Sequence, residues 1–255
     1  MTLDIAYLNR LREMEMQSLL PLFSPGARIL EFGAGTGQQA KFLAEREFEI
    51  VAVDLPASTY AAERMFPILD YDGERLPLAS RSVDVIFSSN VLEHVEDLPA
   101  ILAEFRRVLR AGGICLHVLP TPAWRFWTFV TGLAQSLTTV LALPALLAAP
   151  PAGDSRAAIF RKQSRQVIGG LLPRAHGTDT NGIAELWSFS RLAWRHKFRR
   201  LGFDVIEERP LGLFYTGNLL LGPKLSDRLR YRLSGALGSA VRLYVLRPVP
   251  GDWRG

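Results

Sequence analysis

Residues 28–44 read RILEFGAGTGQQAKFLA. The run at 28–32 suits a buried strand and 38–46 has the period of a helix. Between them glycine takes every second place in Gly33-Ala34-Gly35-Thr36-Gly37, a spacing too permissive for a strand and too broken for a helix. Such a turn lets the backbone approach a ligand. It leaves three readings open: a dinucleotide, another nucleotide-like cofactor, or a plain tight turn. The dinucleotide pattern G-x-G-x-x-G needs glycine at position 38, where the chain has Gln38.

Working outward, a leading helix is expected over 3–22, stopped by Pro21 and Pro25. Strands are expected at 49–54, 67–71, 82–87 and 114–118. Between the last two, Leu98, Ile101, Leu102, Phe105 and Leu109 fall at helical spacing, opened by Asp97 and closed by Gly112-Gly113. Strands alternating with helices imply parallel strands joined by crossovers, hence an open, doubly wound α/β sheet. Ligands of such sheets lie at the carboxyl ends of the strands, where the glycine turn falls. Asp54 ends the second strand 17 residues after Gly37, placed to accept hydrogen bonds from ribose hydroxyls.

The 255 residues, 48% hydrophobic, suit a single domain with an insertion. One cysteine, Cys115, excludes an intrachain disulfide framework. His94, His117, His176 and His196 are scattered without metal-ligand spacing, so no metal is expected. The opening MTLDIAYLNRLREMEMQ is charged and helical in period, unlike a signal peptide, which makes a cytoplasmic location the expectation. Residues 1–154 carry 12 Lys/Arg against 18 Asp/Glu, and residues 155–255 carry 18 against 7, balances of −6 and +11. The basic second part favours an anionic partner, with a solvated basic face as the alternative.

Five stretches in order now resemble one family. Glu31-Phe32-Gly33-Ala34-Gly35-Thr36-Gly37 is similar to the first motif of class I S-adenosylmethionine-dependent methyltransferases, and Val51-Ala52-Val53-Asp54 to their second. Asp72-Gly73-Glu74-Arg75-Leu76-Pro77-Leu78 resembles their D-A-E-x-L-P-F loop. Residues 82–95, SVDVIFSSNVLEHV, resemble the fourth-strand motif of the quinone-biosynthesis-like, methyltransferase-11 type branch. Leu109-Arg110-Ala111-Gly112-Gly113 resembles L-x-P-G-G, with alanine in place of proline. The resemblance implies a Rossmann-like, mostly parallel seven-stranded sheet with helices on both faces, completed by strands at 203–207 and 241–246. It also implies S-adenosylmethionine as cofactor. Gly33, Gly35 and Gly37 would then pack beneath its methionine part and Glu31 would fix the loop. Asp54 would hold the ribose, Leu55 would lie on the adenine, Asp72 and Gly73 would meet the adenine edge, and Asn90 would line the sulfonium.

Methyl transfer asks mainly for positioning, with a base only when the acceptor must lose a proton. His94 and His176 are the candidate bases; a structural His94 and an exposed loop His176 are the alternatives. Trp124, Trp127, Glu185 and Trp187 are candidate acceptor contacts. The acceptor is indicated by an insertion after the fifth strand. Residues 126–153 hold no charged side chain over 28 positions. A transmembrane helix needs about 20 apolar residues, but the chain must return to complete its sheet, which argues against one span. A membrane-dipping hairpin, an interfacial helix and a lid over the pocket remain, beside plain core packing. Arg125, Arg156, Arg161, Lys162 and Arg165 flank it, and Leu225, Leu229 and Leu233 recur beside Arg228, Arg230 and Arg232 as a second basic amphipathic segment.

The expected organisation is one domain: a cofactor half over 1–119, the insertion or lid over 120–189, and completion of the sheet over 190–255. The expected function is O-directed methyl transfer to a hydrophobic, lipid-linked or membrane-associated acceptor, with peripheral binding to an anionic membrane. Alternatives are methylation of a soluble small molecule under a lid, or nucleic-acid binding by the basic half. The last lacks a zinc finger, an RNP-like motif or a Lys-rich tract.

Overall fold

The computed structural model describes residues 5–58, 60–151, 153, 155–171, 175–178, 181–219 and 222–251. Leu3 and Asp4 of the expected leading helix, Arg174 of the His176 loop, and 152, 154, 172, 173, 179 and 180 of the insertion lie outside the described residues.

Seven strands form one sheet: β1 (Arg28–Phe32), β2 (Glu49–Asp54), β3 (Ile68–Asp70), β4 (Val83–Ser89), β5 (Leu109–Pro120), β6 (Phe203–Pro210) and β7 (Val241–Pro248). Their order is β3-β2-β1-β4-β5-β7-β6. The first five run parallel, and β7 is antiparallel to both neighbours. The chain leaves β1 toward β3 on one side and returns to β4 on the other. The β1/β4 boundary is therefore the switch point where such a sheet opens a crevice. Strand β1 is buried along Ile29–Phe32, as a central strand covered on both faces must be.

Helices α1 (Ile5–Leu19) and α2 (Gln38–Ala44) cover one face, and α3 (Leu98–Val108) belongs to the other. On the α3 face Phe32 meets Phe105 edge-on at 5.1 Å. Full burial of each such ring contributes about 1.5–3 kcal/mol. Asp97 caps α3 by accepting from the Ala100 amide at 2.9 Å. The helix does not run to Gly112-Gly113 as expected. It ends at Val108, because Leu109 turns into the core and pairs with Val83. The glycines serve β5 instead: Gly112 has φ +83°, and a Cβ on Gly113 would sit 2.9 Å from the Asp84 carbonyl.

Beyond β5, Thr121 caps α4 (Pro122–Ala148), and α5 (Arg156–Leu171) folds back along it. The pair is antiparallel and close. Ser136 Oγ donates to the Val167 carbonyl at 3.2 Å, and a Cβ on Gly170 would overlap Ser136 and Gly132. By length and composition α4 could cross a membrane, and little of its apolar stretch is buried in the protein. Helices α6 (Ala184–Ser188) and α7 (Arg191–Arg200) return the chain to β6, and α8 (Asp227–Leu237) precedes β7. The basic face expected on α8 needs one correction. Arg228 and Arg232 are exposed, but Arg230 is buried, donating to the Phe214 carbonyl at 2.9 Å and lying over the Tyr7 ring.

Candidate active site

A cavity of about 780 Å³ opens over the carboxyl ends of β1, β2 and β4. Its floor is the glycine turn. Gly33, Gly35 and Gly37 all take left-handed φ, at +74°, +57° and +76°. The amides of Gly33 and Ala34 donate to the Val53 carbonyl at 2.9 and 3.0 Å, which locks the turn against β2. A Cβ on Gly33 would lie 2.5 Å from Val91, and one on Gly37 would lie 2.7 Å from Phe66. Gly35 is different: its nearest neighbour in that direction is the Tyr60 ring at 3.6 Å.

Asp54 ties the floor together. One carboxylate oxygen accepts from the Gly35 amide at 2.7 Å and the other from the Leu55 amide at 2.8 Å. A carboxylate has about four acceptor sites, so lone pairs remain for hydroxyls in the cavity. Leu55, 44% exposed, presents an apolar face beside it. Glu31 lies buried beneath the turn, with one oxygen unpartnered. Burial pushes its carboxyl up to about 8, against the opposing bond from the Ala40 amide. Asn90 ends β4 in a left-handed conformation, φ +54°, and borders the cavity.

Asp72 and Gly73 do not line the cavity. Asp72 is exposed and caps its own turn, accepting from the Glu74 and Arg75 amides at 2.8 Å, which lowers its pKa. Gly73, beside it, faces Leu55 at the cavity rim.

The opposite wall contains groups that the sequence patterns did not single out. Leu8, Asn9 and Arg12 of α1 border the cavity, as do Thr128 of α4 and Tyr215–Leu219. Arg12 donates to Glu15 at 2.8 Å, and Tyr215 donates to the other Glu15 oxygen at 2.7 Å. With the Asn90 carboxamide oxygen turned toward it, Arg12 also donates there at 2.7 and 3.0 Å. An Arg-x-x-Glu pair on an otherwise amphipathic helix was the available signal for this network. The 211–219 loop is anchored on α4, where Gly217 N donates to Thr128 Oγ1 at 2.8 Å.

His94 and His176 do meet here. Their rings are 4.7 Å apart and edge-to-face, and Trp124 lies 4.7 Å from His176 on its other side. All three line the cavity. Burial lowers the pKa of His94 and brings that of His176 down to about 4, with the neighbouring His94, Arg125 and Arg12 adding to the effect. Both rings are therefore neutral near pH 7. The loop carrying His176 is held from two sides. Thr178 N donates to the Glu93 carbonyl at 2.9 Å, while the His176 and Gly177 amides donate to Glu185 Oε1. Glu185 is fully buried and paired with Arg125 at 2.9 Å. It thus positions His176 rather than lining the pocket.

Two of the expected acceptor contacts fall elsewhere. Trp127 does not border the cavity; its Nε1 donates to the Leu237 carbonyl at 2.9 Å and its ring packs on Phe214. Three positions from Trp124, Trp127 shares its side of the helix, and its bond to Leu237 and packing on Phe214 turn the ring toward α8. Trp187 is 68% exposed and also outside the cavity lining.

The cradle fits S-adenosylmethionine: it has a glycine floor with the Tyr60 ring over Gly35, an acid at the second strand end and an apolar neighbour for a base. Together with the strand order, these features are similar to those of class I S-adenosylmethionine-dependent methyltransferases. Residues 30–117 match the family described as methyltransferase domain. Malonyl-[acyl-carrier protein] O-methyltransferase of Serratia marcescens is 38% identical over 117 residues, 44% of this chain and 42% of that one. Demethylmenaquinone methyltransferase of Beutenbergia cavernae is 33% identical over 129 residues, 45% of this chain and 54% of that one. The chain thus spans about half or less of the length of these curated relatives. Among solved structures, an S-adenosylmethionine-dependent methyltransferase from Mesorhizobium loti aligns with TM-score 0.52 at 16% identity, covering 92% of this chain and 97% of that one. One from Archaeoglobus fulgidus gives 0.52 at 14%, covering 93% of each. These two share the fold.

Proposed function

We propose that this chain transfers a methyl group from S-adenosylmethionine to an oxygen of a hydrophobic, lipid-linked or membrane-associated acceptor, working at the cytoplasmic face of an anionic membrane. The observation that carries the reading is the continuity of α4. Trp124, Arg125 and Thr128 at its start border the cavity, and its far part exposes Leu137, Val140 and Leu141. The antiparallel partner α5 adds exposed Phe160 and Ile168 with Arg156, Arg161 and Lys162. Apolar surface beside basic side chains is the composition that binds anionic interfaces. The relatives named for O-methylation of malonyl-[acyl-carrier protein] support oxygen as the acceptor atom.

S-adenosylmethionine supplies the methyl group and the sulfonium that makes it transferable. The chain's contribution is positional. Asp54 and the glycine turn it fixes hold the donor, Asn90 and Arg12 fix the floor near β4, and Trp124 packs against the acceptor side. The neutral imidazoles of His94 and His176 hold or accept the acceptor's proton.

Flotation with anionic vesicles tests the membrane reading. The full chain is expected to float with phosphatidylglycerol vesicles and to be released by salt, and Leu137→Asp/Leu141→Asp to remain below while keeping its thermal shift with S-adenosylhomocysteine. A full chain that stays below at low salt overturns it in favour of a soluble acceptor under a lid.

A further inference from the structure

Glu93 is the most poorly satisfied acid around the cavity. Its side chain is buried, and neither carboxylate oxygen has a hydrogen-bond partner. Leaving a buried polar group unpaired costs on the order of 1–3 kcal/mol, more when it is charged. The neighbouring acids are served: Glu15 by Arg12 and Tyr215, Glu185 by Arg125 and two amides. Glu93 has the edge of His94, with Nε2 at 3.9 Å, its own backbone amide, and the charge of Arg12.

We propose that Glu93, His94 and His176 form a binding site for one divalent transition-metal cation of the zinc class, at the acceptor end of the cavity. One ligand atom from each residue already lies within 4.8 Å of the others. A tetrahedral ion with bonds of about 2.0–2.2 Å needs its donors roughly 3.4 Å apart, so small ring and carboxylate rotations close the set. Two imidazoles and one carboxylate suit zinc, iron(II), cobalt(II) or nickel(II) and not calcium or magnesium. Neutral imidazoles are the ligand form, and burial keeps both neutral. A cation would ionise Glu93, whose carboxyl burial otherwise holds up at about 8.

The surroundings support a fixed site. Glu93 and His176 are 83 positions apart, and the loop that joins them is built for contact. Thr178 N donates to the Glu93 carbonyl, and a Cβ on Gly177 would collide with that same oxygen, so glycine alone allows this approach. Behind the loop, Arg125 and Glu185 fix the backbone that carries His176, with Glu185 accepting from the His176 and Gly177 amides. Because both rings border the cavity, the remaining coordination positions face the acceptor. This role rests on the methyl-transfer reading; the site itself does not. A ligated hydroxyl loses its proton to solvent more readily, and ligation uses the same lone pairs as a base role, replacing it.

Cobalt(II) titration of the chelator-stripped full chain tests the site, read by visible absorption and by quenching of Trp124 beside His176. One ion per chain is expected. His176→Ala and Glu93→Gln should each weaken binding roughly tenfold or more, and His196→Ala should leave it unchanged. Each variant is checked by its thermal shift with S-adenosylhomocysteine. Should Glu93→Gln not fold, the loop variant His176→Ala decides alone. Absent cobalt signal, or binding indifferent to His176→Ala, with that thermal shift intact overturns the site and leaves the imidazoles as bases. Cobalt binding without any S-adenosylhomocysteine shift in the unaltered chain supports the site and counts against the methyl-donor reading instead.

Discussion

The two walls of the cavity are made of different material. The wall from β1, β2 and β4 is largely backbone: three left-handed glycines, the Gly33 and Ala34 amides on the Val53 carbonyl, and the Gly35 and Leu55 amides on the Asp54 carboxylate. The wall from α1, α4, the 175–178 loop and 211–219 is made of side chains, among them Arg12, Trp124, His176 and Tyr215. A wall whose shape is fixed by its own backbone bonds suits a constant ligand. Side chains vary freely, so the second wall is where the acceptor is chosen.

The sharpest test of that division is Asp54→Ala. It removes a carboxylate whose charge-assisted bonds contribute about 1.5–3 kcal/mol each. S-adenosylhomocysteine affinity is expected to fall roughly a hundredfold by calorimetry, and turnover with it. Stabilisation by NAD in its place would break the assignment of the first wall.

Glu185→Ala strikes the second wall. It leaves Arg125 buried without its carboxylate, at a cost of roughly 3–5 kcal/mol. It also frees the His176 and Gly177 amides. A lower melting temperature and a raised KM for the acceptor are expected, with S-adenosylhomocysteine affinity changed less than threefold, on the order of half a kcal/mol. An equal loss of donor affinity would show that the walls are not independent.

The smallest expected effect is on the pH profile. Glu31 has a folded pKa of about 8 against an ordinary 4.5. Between those values the folded state holds a proton that the unfolded state has lost. Its contribution to stability is therefore complete below about pH 4.5 and declines as pH rises toward 8. Glu93 acts with the same sign in the metal-free chain. In chelator, Glu31→Gln is expected to reduce, without abolishing, the loss of melting temperature between pH 5 and pH 8. An unchanged slope would mean that Glu31 is ionised beneath the turn.

The donor wall was legible because its constraints are local. A glycine every second residue, an acid at a strand end and Asn90–His94 after the fourth strand all lie within a few positions of the backbone geometry they serve. The sheet followed for the same reason, since alternating apolar runs and helical periods encode it directly. The capping by Asp72 was not legible, because a turn carboxylate can cap its own amides as readily as face a ligand. The second wall depends on long-range packing. Nothing near Trp127 in sequence says that its indole N–H meets Leu237, and nothing near His176 says that Glu93 waits 83 residues earlier. Scattered histidines are uninformative until the chain folds them together.

The unbroken α4 also sets a distance. From Thr128 at the cavity to Ala148 at the helix end is 20 residues, about 30 Å at 1.5 Å per residue. On a bilayer, an upright arm would hold the reactive centre that far above the headgroups, out of range of a short-tethered acceptor. An arm lying flat would bring the cavity mouth down to the surface. The angle at which the helix meets the membrane would then act as a ruler, sorting acceptors by the length of the stalk between lipid anchor and oxygen.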